Sequence, residues 1–473
     1  MNQPLSAARV EAAFGESGDF VARDVEAAGF RLRLLFVDGL VTGGFISEYV
    51  VRPLATALTG GSMEQLLERA RNGVVYNAVC QVVEREEDAV SKLLNGFAVV
   101  CFPGEPTALA FETKTTVNRS PAPPEVENTV KGAKDAFTEN MRVNTGLVRR
   151  HMRSADLRFT QLVVGRQTAT NVSVAWVRGQ TDPRLVERTV RRLRELEIDS
   201  FATPAAVEEY LTGSRKTAFP LLQYTERTDR FVTALLAGRV GILVDGLPLA
   251  YLAPVNLGRL MDSPEDLSRD FVSASAIRVL RYGALLLTLL LPGLYVAVAA
   301  FHQEMIPTAL LLSIVQSKQQ VPFPTIFEVL FLLLAFEILQ EAGLQLPQSI
   351  GQTVSIIGGL VVGTAAVEAK LVSPAALIAV SVAGICGFAL PGRDFADAVR
   401  IWRLIAAVFA SLAGLFGLTA AFLLLIGHLS GLQSYGASYL APFSAASGGG
   451  AVLRRRLVTR RGNPEDAAQE GLP

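Results

Sequence analysis

Two carboxylates inside an apolar segment constrain this chain more than any other feature. Thr325 to Leu339 is almost wholly hydrophobic, yet it carries Glu328 and Glu337, and Glu341 follows at its end. An acid in hydrocarbon is costly, so such residues face a protein interior or a water-filled path. The segment belongs to a longer stretch, Arg278 to Pro347, which opens with an apolar run from Tyr282 to Phe301. That run is long enough to cross a bilayer. It leads into His302-Gln303-Glu304-Met305-Ile306-Pro307-Thr308 and then Val321-Pro322-Phe323-Pro324.

The 473 residues exceed the usual size of one domain, so two or three are expected. Charges make up only 19% of the chain and crowd its first 270 residues; the mean hydropathy of +0.35 reflects the apolar remainder. Lys+Arg and Asp+Glu balance at 44 each, which gives no field for nucleic acid. Cys80, Cys101 and Cys386 form no CxxC pair and predict reduced thiols. No apolar leader follows Met1. The first half is therefore expected to stay in the cytosol, with the first span as insertion signal.

That first half reads as one α/β unit used twice. Arg31 to Gly39 is a strand and turn, followed by a helix carrying Ile46, Val50, Val51 and Leu54 on one face. Leu93 to Gly104 is another strand and turn, with Thr107 to Thr113 returning. Val172 to Gly179, a helix from Pro183 to Leu196, Leu235 to Gly246 and Leu249 to Ala253 repeat the order at an offset of roughly 140 residues. Between the copies lie Ser120-Pro121-Ala122-Pro123-Pro124, a stiff linker, and a predicted helix from Asn128 to Met152 rich in arginine. Its basic face suits an anionic partner or simple solvation. Asp38 and Asp245 end matching turns and either form a ligand cleft or serve the turns alone.

From Ser263-Pro264-Glu265-Asp266 a connecting helix is predicted to run with Arg269, Arg278 and Arg281 to the membrane edge. Four segments have spanning length: Tyr282 to Phe301, Val354 to Ala369, Val372 to Leu390 and Ile401 to Ile426. Thr325 to Leu339 is shorter and reads as a partial or re-entrant piece. Basic flanks, including Arg454-Arg455-Arg456, place both ends in the cytoplasm. Pro292 can kink the first span. Gly359 and Gly363 form a small-xxx-small pair that serves either a narrow pore or ordinary helix packing.

Enzyme chemistry finds no support. The three histidines, His151, His302 and His428, form no HExxH, and there is no Walker A, GxSxG or GxGxxG run. His302 beside Glu304 has no partners for a metal site. No cofactor is expected.

At Leu291 to Ala297 and Phe301 to Thr308 the sequence resembles the A subunit of GerA-type nutrient germinant receptors of endospore-forming bacteria. The likeness continues through Val321 to Pro324, Phe336 to Leu339, Glu341 to Gly343, Val354 to Ile356, Ala365 to Val367, Val372 to Pro374 and Pro391. In the first half it rests on Phe137-Thr138-Glu139, Val164-Gly165-Arg166, Gly238-Arg239 and Val244-Asp245-Gly246. Gln319, Gln345, Lys370 and Ala133 depart from the family's usual residues.

The resemblance implies a multi-domain membrane protein: a cytoplasmic tandem α/β domain of two related subdomains, followed by an α-helical transmembrane domain. Its parts would be subdomain one (1–120), linker helix and subdomain two (121–262), a connecting helix (263–281), the membrane domain (282–442) and a basic, disordered tail (443–473). It implies a non-enzymatic role in the spore inner membrane, among lipids, with a transporter-like B subunit and a lipoprotein C subunit. A subunits would form a homo-oligomer around a nutrient-gated cation path that triggers germination. Glu328, Glu337, Glu341, Val354, Gly358 and Val361 are then expected to line or couple that path. Gly359, Gly363 and Pro292 would serve helix packing. His302, Gln303, Glu304, Pro307, Thr308, Pro322 and Pro324 would form the family's loop. The alternatives are a scaffold or relay subunit without a pore, or a substrate transporter.

Overall fold

Strands with apolar residues at every position need cover on both faces, and the first half of the chain supplies it twice. In the computed structural model, residues 5–443 are described apart from 28, 57–61, 78, 115–123, 125–126, 128, 130, 202, 214–216 and 346–362. The chain forms two units, one of residues 1–214 and 222–254, the other of 215–221 and 255–473.

Among the described residues the first unit holds ten strands in two antiparallel sheets. They are β1 (Phe20–Ala27), β2 (Phe30–Val37), β3 (Cys80–Val83), β4 (Phe97–Cys101) and β5 (Ala108–Glu112), then β6 (Leu157–Val164), β7 (Thr170–Val177), β8 (Gln223–Thr225), β9 (Val240–Val244) and β10 (Ala250–Ala253). The sheets run β1-β2-β4-β5-β3 and β6-β7-β9-β10-β8, the same order twice. The match expected between Leu93–Gly104 and Leu235–Gly246 falls on the central strands β4 and β9.

Alternation along β4 explains the layers. Ala98 and Val100 join Leu32, Leu34, Leu109 and Phe111 under Ile46, Val50 and Leu54. Phe97, Val99 and Cys101 point the other way, against Val10 and Phe14 of α1 (Ala7–Phe14) and Ala89 and Leu93 of α2 (Glu86–Leu94). Burial pushes the Cys101 thiol up to about 12, so it is an inert part of that layer.

The linker helix is shorter than the sequence pattern predicts. It begins at Met141 because Asn140 accepts from the backbone N–H groups of Arg142 and Val143, which makes it the N-cap of α3 (Met141–His151). Asp182 caps α4 (Pro183–Arg194) in the same way, as its Asp-Pro start implies. The helix α5 (Thr228–Leu236) covers the second sheet through Phe231, Val232 and Leu235.

In the second unit the connecting helix does not start at Ser263. A single turn, Pro264–Leu267, precedes α6 (Phe271–Ala300), whose N-cap is Asp270. Then come α7 (Thr308–Lys318), α8 (Thr325–Gln345), α9 (Pro374–Phe388) and α10 (Arg393–Gly431). Two of them, α6 and α10, are long and apolar enough to cross a membrane. The expected span Val372 to Leu390 yields 15 helical residues. At 1.5 Å per residue that is about 22 Å, less than the ~30 Å of hydrocarbon. The expected partial segment lies within an unbroken helix of 21 residues, α8.

The span expected from Ile401 to Ile426 is interrupted. Ala413 and Gly414 leave helical geometry, and Gly414 takes φ +58°. Most of the expected Val354 to Ala369 span lies outside the described residues.

Candidate functional site

Three polar places in the second unit hold the residues that the sequence singled out. The first is a buried node where α6, α8 and α9 meet. Glu328 is 1% exposed and lies among Val296, Val329, Leu332, Leu333, Val372, Ala376 and Val380. Its Oε2 accepts the Ser373 backbone N–H at 2.8 Å. Ser373 is the N-cap of α9, so a carboxylate from α8 sits at the positive end of a neighbouring helix dipole. The Tyr295 hydroxyl lies 3.3 Å from Ser373 Oγ. Glu328 Oε1 is buried and, among the described residues, has no hydrogen-bond partner.

Two turns along α8 the arrangement differs. Glu337 Oε1 accepts from Arg403 Nη2 of α10 at 2.5 Å, and Arg403 is 3% exposed. Arg400 Nη1 stands 3.8 Å from the other oxygen of Glu337 and 2.8 Å from Asp397. The acid is neutralised in place, in a group of two cations and two anions. Glu341, one turn on, is exposed. Three acids that share one sequence signal thus have three environments.

The third place is the family loop. Gln303 Nε2 donates to the Ala299 carbonyl at 3.0 Å and so closes the end of α6. Glu304, Pro307, Thr308, Pro322 and Pro324 are exposed; the Pro324 carbonyl accepts from Phe327 and Glu328 N–H as α8 begins. His302 lies at the interruption of α10: a Cβ on Gly414 would stand 3.0 Å from its Nε2 and 2.9 Å from Phe301 Cβ. The sequence pattern does not pair His302 with Gly414. Its only hint was a glycine inside an apolar run.

Packing around these places depends on small residues. Pro292 is buried in α6 and does not interrupt it. Beside it, a Cβ on Gly293 would come within 2.9 Å of Leu418 and 3.2 Å of the Ala406 carbonyl, so α6 and α10 touch backbone to backbone. Gly363 packs on Leu377 of α9. Val354, Gly358, Gly359 and Val361 lie outside the described residues.

Arg278 and Arg281, read as the basic flank of the first span, are each 8% exposed. Arg278 pairs with Asp262 at 2.8 Å, and Arg281 grips Asp266 through two bonds of 2.6 Å. Their charges fasten the start of α6 to the turn before it.

In the first unit the two turn aspartates converge on α3. Asp38 pairs with Arg142, and Asp245 Oδ1 accepts the Met141 N–H at 2.9 Å. A Cβ on Gly146 would lie 2.5 Å from the Gly39 carbonyl, so only glycine lets α3 settle against the first lobe. Of the two readings of these aspartates, the contacts fit service to local structure: both turns are engaged by the start of α3. The Asp135 carboxylate lies 2.6 Å from His151 Nε2 at the other end of α3. That hydrogen bond raises the His151 pKa and lowers that of Asp135.

Comparison with known proteins matches the family model described as Bacillus/Clostridium GerA spore germination protein over residues 8–465. Relatives in Bacillus subtilis include the "Uncharacterized membrane protein YfkQ", 36% identical over 411 residues (87% of this chain, 80% of that one). Spore germination protein B1 is 34% identical over 418 residues, 88% and 86% of the two chains. Spore germination protein KA is 33% identical over 468 residues, 96% and 85%. The solved N-terminal domain of the A subunit of the Bacillus megaterium spore germinant receptor GerK3 aligns with 54% of this chain and 97% of its own, at 23% identity and a TM-score of 0.41. This chain belongs to the GerA family of spore germination proteins.

Proposed function

We propose that the protein is the A subunit of a nutrient germinant receptor in the spore inner membrane. In this reading it assembles with a transporter-like B subunit, a lipoprotein C subunit and further copies of itself. It forms a nutrient-gated cation channel, with the tandem α/β unit on the cytoplasmic side, and it carries out no covalent chemistry. The family match over residues 8–465 carries the proposal.

The second unit supports the membrane part by being apolar outward. Phe327, Phe331, Leu334 and Ile338 make an exposed stripe on α8, and Leu412, Phe416, Leu423 and Leu424 are exposed on α10. Its interior seam is instead Ala297, Ala406, Ala410 and Ala421. Large apolar residues on the outside and an alanine-rich seam between α6 and α10 suit lipid as solvent. Glu328 is better suited than Glu337 to meet a cation, because Glu337 is held by Arg403.

The test is single-channel recording of the purified chain in planar bilayers, alone and with its B partner. Cation-selective openings are expected. A silent bilayer under both conditions, with the oligomer intact, would leave the scaffold role standing instead. The interruption of α10 favours a second reading, a substrate transporter, since transporters use broken helices. Saturable uptake of a nutrient without channel current would select it.

A further inference from the structure

A buried acid with one oxygen satisfied and one bare is an incomplete arrangement. Glu328 Oε2 is held by the Ser373 N–H at 2.8 Å, while Oε1 is buried without a hydrogen-bond partner among the described residues. At the same junction Ser373 Oγ and Tyr295 Oη, 3.3 Å from each other, supply two neutral oxygens. Ser373 is fully buried. Carboxylate and hydroxyl oxygens around one formal negative charge, offset in part by the N-terminal end of α9, suit at most a hard cation of single charge. A divalent ion would keep an uncompensated positive charge among Val329, Leu333 and Val380. The described residues hold no group of three or more His, Cys, Asp or Glu able to bind a metal ion, so the site lacks the donors of a transition metal.

The cations on neighbouring turns have other partners. The Lys318 ammonium contacts the Thr325 hydroxyl, one turn before Glu328 on α8, and makes no ion pair with Glu328. Arg403 and Arg400 are engaged by Glu337 and Asp397. The structure assigns to Glu328, Ser373 and Tyr295 a binding site for an alkali-metal cation at the junction of α6, α8 and α9. Occupancy there ties the start of α9 to α8 more firmly than Glu328 alone, because the ion removes the cost of the bare oxygen. This deepens the reading of the second unit as a cation-handling part and rests on that reading for its purpose. Binding to the purified chain is nevertheless measured without any flux.

The experiment is thermal unfolding of the full chain in detergent, in sodium, potassium or choline chloride at one ionic strength. Sodium or potassium is expected to raise the melting temperature over choline by about 2–4 °C, saturably. Glu328→Gln removes the effect, and Tyr295→Phe shifts its midpoint to higher concentration. Lys318→Gln, by deleting the neighbouring charge, lowers the midpoint. Equal melting in all three salts overturns the site, and so does an effect retained in Glu328→Gln. Should Glu328→Gln fail to fold, an unmoved midpoint in both Tyr295→Phe and Lys318→Gln overturns it. Channel current without cation-dependent stabilisation ends this inference and leaves the receptor reading intact. Stabilisation with a silent bilayer keeps the site, ends the channel reading and leaves the scaffold role.

Discussion

Arg149 and Asp19, 130 positions apart in the chain, form an ion pair with neither side chain more than 1% exposed. Arg149 Nε meets Asp19 Oδ2 at 2.7 Å, and Nη2 meets Oδ1 at 2.9 Å. Ser17 and the Ser154 carbonyl take the remaining contacts. The helix that carries Arg149 belongs with the second lobe, and Asp19 precedes the first strand of the first. Removing one partner of such a pair strands a buried charge. Arg149→Met should therefore lower the unfolding free energy by about 3–5 kcal/mol. Urea unfolding of the full chain measures it. The double variant Arg149→Met with Asp19→Leu should recover much of the loss; a double variant as unstable as the single one would contradict this account.

Glu337 makes a parallel case with a different consequence for function. Glu337→Gln leaves Arg403, 3% exposed, without its carboxylate. The expected outcome is a melting temperature lowered by several degrees, for a cost of about 3–5 kcal/mol, before any change in ion selectivity is seen. Normal stability with altered selectivity would instead place Glu337 on the conducting path.

Gly414 sits at φ +58° with Phe301 and His302 where a side chain would go. Gly414→Ala combines an unfavourable backbone conformation with a clash, and should cost at least 1–2 kcal/mol. Adding His302→Ala should restore only part of the loss, since the Phe301 Cβ stays. Melting curves of the single and double variants decide it, and an unaffected single variant would mean that α10 can straighten.

His151 and Asp135 predict a pH dependence. The His151 pKa is raised by its bond to Asp135, so its contribution is complete below the unfolded value near 6.5 and is lost as pH rises through the folded one. The Asp135 pKa is lowered, so its contribution is present above about 3.9 and lost as pH falls through the folded value. The pair thus stabilises fully between about pH 4 and 6.5. The drop in melting temperature from pH 6 to pH 9 should be larger in the native chain than in Asp135→Asn. Equal drops would show that the pair contributes nothing.

The repeated strand order was legible because β2 and β7, and β4 and β9, each end in a glycine turn after an apolar run. The start of α3 was not, because the cap that decides it, Asn140, is one polar residue among many in that stretch. The acids of α8 announced themselves by position but not by role. Whether a carboxylate is bare like Glu328 or matched like Glu337 depends on α9 and α10, some 45 and 66 positions away. The break in α10 was hidden for the same reason, since glycine in an apolar helix looks like packing until φ turns positive.

The seating of α3 has a mechanical consequence. Asp38 and Asp245 reach its first turn from opposite lobes, Gly39 lies flush on Gly146, and Asp19 locks Arg149 near its end. A helix fastened in this way to both lobes is a mechanical link, so displacement of one lobe loads contacts made by the other.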